Sequence, residues 1–225
     1  MIITIDGPGA SGKSSVAKEI ARRLGIHHFS TGLLYRAVAY IVMHFVHSDS
    51  SSNHAVDIQN VDLSFVSEIK FRFKDGDGLV FFKGVDITEF LSDEALSQSA
   101  SALSALPEIR NRLLDVQRAV AKDYDVVVDG RDCGSVIFPN ADFKFFLTAT
   151  VESRVQRILN DVRRSNDRYD EQYVRSQLIA RDQRDSTRVV APLIIPYGAV
   201  ILDNSDLTFD QTVEKLLEFI AKKSG

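Results

Sequence analysis

The chain has a single cysteine, Cys133, among its 225 residues. No intrachain disulfide can form, so a reducing compartment, the cytoplasm, is expected. It also lacks an excess of basic charge: 27 Lys and Arg stand against 31 Asp and Glu, a net charge of −4. Such a balance offers no global field to nucleic acid, and no nucleic-acid partner is expected. Long apolar runs are missing too. The most apolar stretch, Leu33 to Val46, is broken by Arg36 and His44 and is too short and polar to span a membrane, so no membrane partner is expected either. The opening Met1-Ile-Ile-Thr-Ile-Asp6 has neither the basic nor the long apolar part of an export signal. Absent as well are an internal repeat and the N-K-x-D motif with which GTP switches read their base. What remains is 44% hydrophobic and 26% charged residues, the make-up of a globular chain that buries a core as one large domain or a core with insertions.

Ile2 to Ile5 is β-branched and ends at Asp6 and a glycine-rich turn, as a buried parallel strand does. Lys13 to Leu24 follows with an apolar stripe of Val16, Ala17, Ile20, Ala21 and Leu24 at helical spacing. Further strands are expected at Asp125–Asp129, Phe143–Leu147 and Ala199–Leu202. A helix is expected after Pro107, carrying Ile109, Leu113, Val116 and Val120. Another is expected behind the Thr208/Gln211 capping box, carrying Val213, Leu216, Leu217 and Ile220. Alternating strands and helices predict an α/β protein with an open parallel sheet flanked by helices. Two segments interrupt the alternation. Ser48 to Asn53 reads as a loop, and Ile69 to Val85, with Phe71 and Phe73 between basic residues and Asp-Gly pairs beyond, reads as an inserted antiparallel hairpin.

Gly7-Pro8-Gly9-Ala10-Ser11-Gly12-Lys13-Ser14 matches G-x-x-x-x-G-K-[ST] between strand and helix. Glycines let backbone N–H groups approach phosphate oxygens closely, and the helix adds its positive end. Lys13 is placed to reach the β- and γ-phosphates and Ser14 to ligate Mg2+, so ATP and Mg2+ are the expected donor and cation. A second anion site is suggested by Arg composition. From Val151 to Arg188 there are nine arginines (154, 157, 163, 164, 168, 175, 181, 184 and 188) and no lysine. Arginine without lysine suits planar, bidentate phosphate recognition, although a solvated helix face is the plainer alternative. Arginines and a cation neutralise charge in phosphoryl transfer, which points to a kinase for a small acceptor. A nucleotide-dependent switch stays open as a second reading, as does a P-loop kinase for a different acceptor.

Five blocks in order resemble the cytidylate kinases, specifically the monomeric bacterial type acting on CMP and dCMP. They are Ile5 to Ser15, Ser30 to Arg36, Ala100-Ser101 through Pro107 to Arg110, Asp129 to Ser135 with Phe138 to Ala141, and Arg181 to Arg188 with Ala191 to Leu193. The resemblance implies a P-loop NTPase with an adenylate-kinase-like core (1–30, 106–151 and 189–225). To it are added a nucleoside-monophosphate domain (31–105) enlarged by the hairpin, and a helical lid (152–188). It implies ATP contacts from Gly7 to Ser15, including Ser15, and from Arg154 and Arg157. It places Thr31, Tyr35, Arg36, Ser101, Arg110, Arg131, Asp132, Arg181, Asp185 and Arg188 around CMP. Lys13, Arg131, Arg181 and Arg188 are the expected catalytic residues, with Asp129 holding Mg2+ through water. Arg110 and Ser101 would read cytosine, Arg36 and Arg131 the α-phosphate, and Asp185 the ribose hydroxyls. The chain departs from the family pattern where Gly9-Ala10 reverses the more usual order, where Cys133 replaces an aliphatic residue, and where Ser135 replaces Thr. Cys133, beside Arg131-Asp132, reads either as a thiol whose modification would hinder CMP or as a small buried filler.

Overall fold

A computed structural model of the chain describes residues 1–46, 62–74, 76–92, 94–161 and 170–224. The serine-rich segment 48–53 and Arg163, Arg164 and Arg168 lie outside the described residues. β1 (Ile2–Asp6), α1 (Lys13–Leu24), β2 (His27–Ser30) and α2 (Gly32–Ile41) come first. β3 (Ile69–Lys74), β4 (Asp77–Phe82) and β5 (Val85–Asp86) follow, then α3 (Glu94–Leu103) and α4 (Pro107–Val120). The chain continues through β6 (Val126–Gly130), β7 (Phe143–Thr148), α5 (Val151–Leu159), α6 (Glu171–Thr187), β8 (Val200–Asp203) and α7 (Phe209–Ser224).

Five strands form one parallel sheet in the order β2-β6-β1-β7-β8, and β3-β4-β5 form a separate antiparallel sheet. Strand alternation divides the core in two. Ile3 and Ile5 of β1, Val127 of β6 and Phe145 and Leu147 of β7 pack beneath α1 and α7. Val126 and Val128 face the opposite way, joining Phe29, α2, α4 and the inserted sheet. A fully parallel sheet must be covered on both faces, and these two layers do so. Because the strands are parallel, Asp6, Ser30, Gly130, Thr148 and Asp203 all end on one side, the side on which open α/β sheets carry their sites.

The hairpin lies where the sequence pattern puts it, with Lys74 opposite Asp77 across the turn, and β5 adds a third strand. The capping box forms as written: Thr208 N–H donates to Gln211 Oε1 at 2.9 Å and Gln211 N–H to Thr208 Oγ1 at 3.2 Å. β2 and α2 are not legible as elements from local pattern. β2 is a polar segment made a strand by pairing with β6, and His27 stacks on Phe73 of the hairpin at 4.4 Å. Among the described residues no helix is long and apolar enough to cross a membrane.

Candidate active site

The glycine-rich loop turns over the end of β1. Gly7 admits no side chain, because a Cβ there would fall 2.0 Å from the Leu147 carbonyl oxygen. Ala10 takes a left-handed φ of 57°, and its methyl packs on the small cluster of Val155, Val174 and Leu178 between α5 and α6. At Gly9 a Cβ would lie 3.3 Å from Leu178 Cδ1, so the reversed Gly9-Ala10 order suits the helix packed over it. Lys13 is buried and donates from Nζ to the Pro8 carbonyl at 3.0 Å. Burial, helped by the Arg131 charge, lowers its pKa to about 7. A polyphosphate in the loop would restore the ammonium. Ser14 Oγ donates to Asp129 Oδ2 at 2.6 Å, and Asp129 Oδ1 lies 2.7 Å from His28 Nε2. Burial alone would raise the Asp129 carboxyl, but the bond to His28 and the charges of His28 and Lys13 hold it below the usual range. Ser15 stands exposed on the first turn of α1.

Arg154 and Arg157 of α5 hold the loop by its carbonyls. Arg154 donates to Gly9 O at 3.2 Å and is paired with Asp182. Arg157 donates to Ser11 O at 3.2 Å and to the Asn204 carbonyl at 2.7 Å, while Asn204 Nδ2 donates to Ser11 O at 3.0 Å. Asn204 and Asp182, which no sequence motif marks, thus brace the arginines that hold the loop. Asn204 stands directly after β8, where a parallel strand points at the site, and that position was the only signal for it.

Beyond the loop lies a chain of alternating charges. Arg131 Nε donates to Asp185 Oδ2 at 2.7 Å, and Arg188 Nη1 is 3.9 Å from Asp185 Oδ1. Arg188 Nη2 also reaches Asp132 Oδ1 at 3.3 Å, and Arg110 Nη2 bonds the other oxygen of Asp132. Burial would raise the Asp185 carboxyl, yet Arg131, with Arg181 and Arg188, outweighs it and keeps the group ionised. The chain begins at the loop itself: a Cβ on Gly9 would lie 3.7 Å from Arg181 Cδ and 3.8 Å from Arg131 Nη2. At its far end Arg110 lies over the Tyr35 ring at 5.3 Å and donates to Ser104 O at 3.1 Å. Burial pushes the Tyr35 phenol to about 12, so it stays neutral. Ser104 Oγ in turn donates to Ser101 O at 2.9 Å, while the buried Ser101 Oγ has no hydrogen-bond partner among the described residues. Thr31 donates to the Asp129 carbonyl at 3.0 Å and seats β2 against β6.

Arg36 of α2 donates to Leu91 O at 2.8 Å and to Ser97 Oγ of α3. Cys133 is 0% exposed, and burial pushes its thiol well above the usual range, so the small buried filler is the reading the structure supports. A bulky maleimide is expected to leave the native protein unmodified and fully active and to label it only in urea. Mass spectrometry with a parallel assay checks this, and rapid native labelling would contradict it.

The five-stranded order with β1 at its centre, flanked by helices, and the phosphate loop after β1 define a P-loop kinase fold. A solved structure of an uncharacterized protein from Eubacterium ventriosum ATCC 27560 shares this fold, with a TM-score of 0.55, 14% identity and 98% of each chain covered. The chain belongs to the cytidylate kinase family, whose model matches residues 3–222. It is 39% identical over 221 residues to the cytidylate kinase of Chlamydia felis (strain Fe/C-56), covering 98% of both chains. It is 37% identical over 223 residues to that of Caldanaerobacter subterraneus subsp. tengcongensis, covering 99% of this chain and 95% of the relative.

Proposed function

We propose that this chain transfers the γ-phosphoryl group of ATP to CMP or dCMP, giving ADP and CDP or dCDP, as a monomeric enzyme of pyrimidine nucleotide metabolism in the cytoplasm. One observation supports the reading: a buried run of paired arginines and carboxylates leads from Gly9 of the phosphate loop to the buried Arg110 and Tyr35, with the Ser101 hydroxyl, which has no hydrogen-bond partner among the described residues, close by in the chain in the last turn of α3. A buried polar atom without a partner is costly, and a ligand that bonds it recovers the cost. Cytosine has acceptors for Arg110 at O2 and N3 and an amine at N4 for Ser101.

In this reading an anionic oxygen of the CMP phosphate attacks the γ-phosphorus. The bond from that phosphorus to the β,γ-bridging oxygen breaks, and ADP carries away the electron pair. The acceptor is already an anion, so no strong general base is needed. Lys13 and the loop amides hold the donor phosphates. Arg131, Arg181 and Arg188 neutralise charge between donor and acceptor, with Arg36 serving the acceptor phosphate. Asp185 serves the ribose, and Thr31, Tyr35 and Asp132 shape the acceptor site. Arg154 and Arg157 hold the loop from the ATP side. A Mg2+ ion fits at Ser14 Oγ with Asp129 behind it, since both are hard oxygen donors. When bound, it neutralises charge on the transferring phosphates. The core is assigned to 1–30, 106–151 and 189–225, the monophosphate-binding part to 31–105 and the lid to 152–188.

A coupled ADP-release assay across CMP, dCMP, UMP, AMP and GMP tests the reading, and absence of turnover with both CMP and dCMP overturns it. In the same assay Arg110→Met is expected to raise KM for CMP about 10- to 150-fold, the worth of a hydrogen bond to a charged donor, while KM for ATP stays within about twofold. Equal damage to both substrates would contradict the assignment of Arg110 to the base.

A further inference from the structure

Asp6 is a carboxylate that this reaction scheme does not use. It ends β1 and directly precedes the first glycine of the phosphate loop. It is 0% exposed. Strand alternation, which turns Ile3 and Ile5 toward α1, turns Asp6 to the other face of the sheet. There its two oxygens accept from two successive backbone N–H groups, those of Cys133 and Gly134, each at 2.7 Å. These amides open the turn that follows Arg131 and Asp132. The turn is seated directly on β1: a Cβ on Gly134 would fall 2.7 Å from Thr4 Oγ1 and 3.2 Å from Asp6 Oδ2. A buried carboxylate is costly when packing alone is required, since an apolar side chain fills the same space without desolvation. What the carboxylate adds is a two-point tie between the base of the donor loop and the segment that bears two acceptor-site residues.

We infer that Asp6 is a positioning residue for acceptor binding: its carboxylate clamps the Cys133–Gly134 backbone and so sets where Arg131 and Asp132 stand relative to the triphosphate loop. The inference rests on the functional reading above, because CMP is the ligand whose binding the clamp serves. Asp6 acts through Arg131 and Asp132 and touches neither substrate. The tie is strongest when both oxygens act as acceptors, which is the ionised form. Burial raises the carboxyl to about 6 against the pull of the two amides. The titratable groups facing it are Asp132, whose charge raises it further, and the Cys133 thiol. With a folded pKa above the unfolded one, protonation does not destabilise the fold. The clamp therefore slackens as pH falls through about 6, while the protein stays folded.

Asp6→Asn tests this, because it keeps the volume but turns an NH2 group against a backbone N–H. The expected result is a KM for CMP raised on the order of ten- to a hundredfold, as for a displaced positioning group, with KM for ATP within about twofold. An active parent and a variant with both constants unchanged, or changed equally, overturns the inference alone. A parent that fails to use CMP or dCMP overturns the functional reading and the inference with it. Should the variant fail to fold, the parent protein supplies the second measurement. The amide resonances of Cys133 and Gly134 should titrate together with a midpoint near 6, and saturating CMP should lower that midpoint, since a ligand favouring the ionised clamp must in turn favour ionisation. A midpoint that CMP leaves in place or raises overturns the inference.

Discussion

Replacing Lys13 by methionine is expected to lower kcat/KM for phosphoryl transfer by about a thousandfold or more, roughly 4 kcal/mol, the scale of losing a preorganised electrostatic contact to the transition state. The magnitude follows from where the lysine sits. It is buried beneath the phosphate loop, donates at 3.0 Å to the Pro8 carbonyl, and its ammonium is disfavoured by burial and by Arg131. Its charge thus becomes useful when phosphates enter. The same burial sets the sign of the effect on folding. A lysine whose folded pKa lies below its unfolded value penalises the folded state, and the penalty is largest at low pH, where the unfolded chain keeps its proton. Methionine removes it. The variant is therefore expected to melt at or above the parent temperature without nucleotide while losing nearly all activity. Thermal melts beside steady-state kinetics check this, and a loss of activity matched by a lower melting temperature would count against it.

The second large effect is expected at Asp132. Its carboxylate bonds Arg110 through one oxygen and Arg188 at 3.3 Å through the other, and the three side chains are only 3–5% exposed. Asp132→Ala leaves two guanidinium groups facing each other in a buried site. Breaking a buried ion pair from one side costs about 3–5 kcal/mol, mostly as the penalty of the charges left behind. Urea unfolding is expected to show a midpoint lowered accordingly with an unchanged slope. CMP use should fall further than ATP use, because Arg110 loses the group that aims it. A stability loss below about 1 kcal/mol would show that the arginines find water or another partner and that the triad is not a closed electrostatic unit.

Both effects depend on contacts the sequence does not display. The phosphate loop is legible because its residues are contiguous: strand, glycines, Lys13 and an amphipathic helix all act within a short window. The Thr208 capping box is legible for the same reason. The strand His27–Ser30 is not, since His27, His28 and Ser30 are poor local strand signals and register with Val126 to Asp129 supplies the order. Helix α2 is hidden differently. Leu34, Tyr35, Ala37, Val38, Ala39 and Ile41 are buried around much of its circumference, so no polar face marks its period.

The sequence by itself determined the donor half of this protein, a triphosphate loop on a parallel α/β sheet, and displayed a lysine-free run of arginines whose composition suits phosphate. It also carried enough ordered blocks to point to a cytidylate acceptor. Tertiary structure alone decided which carboxylate restrains which arginine. Asp132 lies between Arg110 and Arg188, Asp185 holds Arg131, and Asp6 ties the Cys133–Gly134 backbone to the base of the loop. The physical reason is that periodicity and turn chemistry act between neighbours in the chain. A buried charge instead takes its partner from whatever strand end or helix face the packed sheet brings within a few ångströms.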